Sequence, residues 1–228
     1  MSDSLGEAGL KFFGAMCASI SHEIKNRMAI INEQAGLLED IVQRAELGYD
    51  IDMERLMRLA DSVKVQINLA GDIIHNMNTF AHSVDIIRQS SNLNELLPLT
   101  VALFQRMADR RNVRLETRLP DAAGTVNTTP FFLMNLLWPS LDRTLVTAEN
   151  RRSVLLGYDK HAEEVLLWLS DEAGATASQT DDTLLAGQAS VLADALLDNA
   201  SLSYKGDRLI IRLPVNPKDG PGGPSTDR

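Results

Sequence analysis

The segment Ser21-His22-Glu23-Ile24-Lys25-Asn26 brings an imidazole, a carboxylate and a carboxamide together within about a turn and a half of helix. Apolar residues around it recur at Met16, Ile20, Ile24, Met28, Ile31, Ala35, Leu38 and Val42, in steps of four or three. That spacing is the stripe of a long amphipathic helix, close to a heptad seam. At about 100° per residue, His22 lies roughly 200° from Ile20 and faces away from the stripe. Asn26 is one turn further along the same face, and Glu23 is beside His22. The plain reading is a surface histidine on a charged helix, as most exposed histidines are. The chemical reading is an exposed nucleophile with a carboxylate close enough to bind its Nδ1–H. Such a carboxylate fixes the tautomer and raises the nucleophilicity of Nε2. Asn26 would then orient a water or a phosphoryl oxygen.

The other reactive side chains carry less. His75 and His82 are seven residues apart on a second helical stripe, too far for two ligands of one metal, and read as surface or bundle-contact residues. His161 falls in a turn. Cys17, near the seam, reads as a small buried apolar residue. The eight methionines fall mostly at seam spacing and read as core. Trp138 and Trp168 are expected to pack in a sandwich. No metal site is expected.

The elements that position His22 come from the first ninety residues, which contain no proline. The first stripe is interrupted at Gly48-Tyr49-Asp50. A second follows through Leu56, Leu59, Val63, Ile67, Ala70, Ile74, Met77, Ala81 and Val84. Two long helices joined by a short turn lie antiparallel. A lone hairpin leaves much of such a seam in water, so a second copy is expected to complete a dimeric four-helix bundle. Beyond Ser90-Ser91 the pattern mixes helix and strand. Leu93–Arg110 reads as helix and Val113–Leu119 as a half-buried strand. Phe131–Leu145 reads as helix broken by Pro139. Ser153–Tyr158 and Glu164–Ser170 read as strands, Leu184–Leu197 as helix and Arg208–Leu213 as a closing strand. This order predicts an α+β chain, with one sheet covered by helices. The expected domains are 1–90, 91–216 and a disordered, Pro- and Gly-rich tail at 217–228.

The chain has 228 residues, with 22 Lys and Arg against 31 Asp and Glu, a formal net charge of −9. An acidic chain without a basic run is a poor ligand for nucleic acid or anionic lipid. Its single cysteine excludes an intramolecular disulfide and a four-cysteine zinc site, and suits a reducing compartment. No membrane-length apolar run and no basic signal-peptide start are present, so a soluble cytoplasmic protein without membrane insertion is expected.

Ser-His-Glu-Ile-Lys-Asn followed by an apolar helix resembles the H-box of the dimerisation and phosphotransfer domain of two-component histidine kinases. The resemblance implies that His22 is the phosphoacceptor, that Glu23 is its acid/base partner and that Asn26 positions water for dephosphorylation of a bound regulator. The family usually has proline after that asparagine. Arg27 stands there instead, which implies a straighter helix. Asn92-Leu93-Asn94-Glu95-Leu96-Leu97, the strand before Pro120, and Leu209-Ile210-Ile211-Arg212-Leu213-Pro214 resemble the entry and final strand of the family's ATPase-type α/β-sandwich.

Its nucleotide motifs are altered. Aligning Asn135-Leu136-Leu137 with the N-box puts Pro139 at the Mg²⁺-binding asparagine, and proline cannot ligate a metal. Asp171-Glu172-Ala173-Gly174-Ala175 keeps the adenine-contacting aspartate, Asp171, as a vestigial cofactor residue, but both required glycines are alanine. Only Gly187 stands near the expected glycine-rich box at 187–191, so no phosphate cradle is visible. The resemblance therefore implies a histidine phosphotransferase without ATP. His22 would exchange phosphoryl groups with receiver domains of response regulators, which supply the Mg²⁺, and a separate sensor kinase would feed the relay. The alternatives are a kinase that autophosphorylates His22 from ATP and a non-catalytic dimeric scaffold.

Overall fold

The computed structural model describes residues 2–86, 88–148, 153–171, 201–205 and 208–214. The expected helix at 184–197 and the tail at 217–228 lie outside the described residues. The chain is α+β and divides into two compact units, Gly14–Thr79 and Met1–Phe13 with Phe80–Arg228.

The first unit is a helical hairpin built from the greater part of α1 (Ser2–Glu46) and α2 (Met53–His82), without the first turns of α1 and the end of α2. The turn between the helices follows from local chemistry. Gly48 takes φ 87°, its N–H donates to the carbonyl of Ala45, and the Tyr49 N–H donates to the carbonyl of Arg44. These two bonds close α1 as a Schellman motif, in which glycine reaches the left-handed region at no steric cost. The Arg44 guanidinium lies over the Tyr49 ring, 5.3 Å from its centroid. Asp52 opens α2 by accepting the Arg55 N–H through Oδ1 at 2.9 Å.

Burial in this unit is sparse. Met16 and Ile20 are buried, but no residue from Ser21 to Thr79 is. Met28, Ile67 and Ile74, all on the expected seam, are 56%, 54% and 47% exposed. The expectation that the methionines are core therefore holds for Met16 and Met134 and fails for Met28, Met53 and Met57, which are exposed. A pair of helices cannot enclose the full width of its own apolar stripes. Cys17 is half-buried rather than buried.

The second unit contains α3 (Leu93–Asp109), α4 (Pro130–Thr147), a two-stranded ribbon and a five-stranded sheet. The ribbon pairs β1 (Gln89–Asn92) with β3 (Thr125–Thr128). The sheet contains β2 (Arg114–Arg118), β4 (Ser153–Lys160), β5 (Glu164–Asp171), β6 (Ser201–Lys205) and β7 (Arg208–Pro214), in the order β2-β4-β5-β7-β6. β2 runs parallel to β4 and the remaining pairs are antiparallel. α3 packs on β2 and β4, and α4 packs on α3 and β5. Alternation in the strands aligns Leu115, Val154, Leu156, Tyr158, Val165, Leu167, Leu169, Ile211 and Leu213 as buried residues. An aromatic cluster joins the start of α1 to this unit. Phe12 lies 5.5 Å from Phe80 and Phe131, 5.4 Å from Trp138 and 6.4 Å from Phe104, centroid to centroid.

One sequence expectation is corrected here. α4 is not broken at Pro139, which sits inside a continuous helix. Proline removes one helical donor, but Leu133, Met134, Leu136, Leu137, Leu141 and Leu145 are buried along the same helix and hold it together. Trp168 is buried, as expected, and pairs with Gly157 in register on the sheet face opposite Leu167 and Leu169. Gly157 makes room for it. A Cβ at 157 would come within 2.5 Å of both the Arg118 carbonyl oxygen and the Trp168 ring.

Gly157→Ala is therefore expected to destabilise the fold by about 2 kcal/mol, an overpacking cost against backbone that cannot yield. Chemical denaturation of the two proteins would measure it, and equal midpoints would contradict this packing.

Candidate functional site

α1 carries the site residues on the side away from its apolar stripe. His22 and Asn26 are exposed, and Glu23 is half-buried. Phosphoryl transfer needs an accessible ring nitrogen, and this placement provides one. The expected contact between Glu23 and His22 is not formed. No hydrogen bond to the His22 imidazole occurs among the described residues. Neighbours on a helix project about 100° apart, so the contact forms only when both side chains turn toward each other, and Glu23 is turned elsewhere.

Glu23 pairs instead with Arg27, one turn on, with Nη2 to Oε1 at 3.7 Å. Their side chains are 24% and 29% exposed. An i,i+4 pair of this kind contributes at most about 1 kcal/mol to stability. Its significance is geometric. The Arg27 Nη1 also donates to Gln66 Oε1 of α2 at 3.2 Å, so one guanidinium links the carboxylate to the second helix. The Glu-to-Arg spacing was readable from sequence. Gln66 was not, because nothing local marks a partner 39 residues away.

The remaining candidates are dispersed. His75, His82 and His161 are exposed, and His82 Nδ1 lies 3.6 Å from Asp85 Oδ2. Among the described residues, no three His, Cys, Asp or Glu side chains converge as a metal site would require. Burial pushes the Cys17 thiol up from its ordinary value, which disfavours the thiolate.

Residues named for a nucleotide site fall in the second unit. Pro139 occupies α4, where it offers no side-chain oxygen or nitrogen to a metal. Asn135, one turn earlier, is 1% exposed, and its Nδ2 has no hydrogen-bond partner among the described residues. Asp171 ends β5, opposite Val154 in register. Ala173, Ala175 and the expected glycine-rich box at 187–191 lie outside the described residues.

The chain matches no family model and no curated protein. Solved structures similar to it include three with related titles. The Acinetobacter baumannii histidine kinase AdeS is 14% identical, covering 86% of this chain and 98% of that one, at TM-score 0.42. The Erythrobacter litoralis blue-light activated histidine kinase EL346 is 16% identical, covering 88% of this chain and 63% of that one, at TM-score 0.47. A bacterial phosphotransferase is 13% identical, covering 88% and 94%, at TM-score 0.42. At these identities and TM-scores the likeness is loose and carries no family or activity over to this chain. The functional reading stands on the residues. No helix among the described residues is long and apolar enough to cross a membrane.

Because His22 is exposed and makes no hydrogen bond among the described residues, His22→Ala is expected to change stability by less than about 0.5 kcal/mol. Thermal melting of both proteins checks this. A larger loss would mean that the imidazole has a structural task.

Proposed function

We propose that this chain is a two-component signalling protein in which His22 carries a phosphoryl group exchanged with receiver-domain aspartates of response regulators. The observation that carries the reading is the exposed His22 imidazole, with Asn26 one turn away on the same face of a helical hairpin. In the forward step, Nε2 attacks the phosphorus of an aspartyl phosphate. The N–P bond forms as the P–O bond to the aspartate breaks, and the carboxylate leaves with the bonding electron pair. Transfer to a second receiver reverses these roles. The receiver supplies the Mg²⁺ that neutralises phosphoryl charge, so the hairpin needs no metal of its own. Asn26 is placed to orient a water on a phosphorylated partner, which would support phosphatase action.

Loss of ATP binding belongs to the same proposal. Pro139 provides no ligand at the position where the resemblance requires a metal-binding asparagine, and alanines replace two glycines after Asp171. Pairing of two chains through the hairpin also belongs to it. The supporting observation is the unburied stretch from Ser21 to Thr79 with its exposed Met28, Ile67 and Ile74.

Incubation with a phosphorylated receiver domain is expected to place acid-labile phosphate on the wild-type chain and none on His22→Ala. Binding of the receiver without transfer would favour the scaffold reading. Light scattering is expected to give twice the 25.1 kDa chain mass, and Ile67→Glu with Ile74→Glu should shift it toward one chain. A monomeric wild type at micromolar concentration would overturn the bundle.

A further inference from the structure

The Glu23 carboxylate can serve either of two neighbours on α1, and it is found with one of them. Arg27 takes it at 3.7 Å, and the same guanidinium donates to Gln66 of α2 at 3.2 Å. Arg27 Nε is buried and has no acceptor among the described residues. A planar guanidinium that reaches two acceptors on two helices is held in direction as well as position, which a flexible lysine ammonium could not reproduce. His22, on the adjacent face, receives no hydrogen bond among the described residues.

We propose that Arg27 is a positioning residue that holds the Glu23 carboxylate away from the His22 imidazole, with Gln66 fixing the guanidinium in place. This rests on the reading of His22 as the phosphoryl carrier and adds a control over its reactivity. A carboxylate at Nδ1–H favours the tautomer in which Nε2 is the free nucleophile. While Arg27 retains Glu23, that tautomer lacks its carboxylate partner. When Glu23 is released, the ring is set for attack. Lys25 of α1 and Asp72 and His75 of α2 stay unchanged in every variant of the test.

The test reads the tautomer of neutral His22 in the full chain from its ¹⁵N imidazole resonances, assigned with His22→Ala. Arg27→Ala is expected to raise the Nδ1–H population, and Arg27→Ala with Glu23→Ala to return it to the wild-type value. Arg27→Lys, which keeps the i,i+4 pair, should fall between wild type and Arg27→Ala. Gln66→Ala should move the population in the same direction by less, and it serves if Arg27→Ala does not fold. An unchanged tautomer in Arg27→Ala, or a rise that survives Glu23→Ala, would overturn the proposal. The spectra do not depend on phosphoryl transfer. A wild type that accepts no phosphate from a receiver would therefore sink the carrier reading while the tautomer still decides the clamp.

Discussion

Two helices packed side by side cannot bury a stripe that spans a third of each circumference, and the hairpin of this chain shows the consequence. Nothing from Ser21 to Thr79 is buried, although apolar residues recur along the whole length. The stripe must face something, and whatever covers it determines which residues remain outside. His22 and Asn26 lie off the stripe, so they stay in solvent when it is covered. Accessibility of the imidazole is therefore a result of helical periodicity, established before any local contact is considered.

The second unit has a well-built core. Its stability comes from interactions independent of a ligand. The aromatic cluster around Phe12 is one source. Another is a polar network around Tyr158, whose hydroxyl accepts the Gly124 N–H at 2.6 Å and donates to Asn94 Oδ1 at 2.7 Å. Asn94 Nδ2 in turn donates to the Pro120 carbonyl at 3.3 Å. These contacts join the start of α3, the loop before β3 and strand β4. A fold held in this way accommodates Pro139 within an unbroken α4.

Much of this architecture was legible in the sequence because its causes are local. Gly48 ended α1, α3 was expected from Leu93, alternation marked β2, and β4, β5 and β7 were expected as strands close to their observed bounds. The short strands were not legible. β1 is Gln-Ser-Ser-Asn and β3 is Thr-Val-Asn-Thr, which exist because they pair with each other rather than because either has a strand pattern. β6, an edge strand of five residues, depends in the same way on β7. At the site, the exposure of His22 followed from periodicity, whereas the partner of Glu23 depended on rotamers and on Gln66 across the hairpin. The family resemblance implied an acid/base partnership with His22, while the resting geometry gives the carboxylate to Arg27.

The central claim is that phosphate reaches His22 from an aspartyl phosphate and not from a nucleotide. The most direct measurement offers the full chain two labelled donors in parallel, γ-labelled ATP with Mg²⁺ and a labelled phospho-receiver, with His22→Ala beside each. The account predicts acid-labile label on the wild type from the receiver alone, and none on the variant from either. Label from ATP that requires His22 would contradict it and make the chain a kinase.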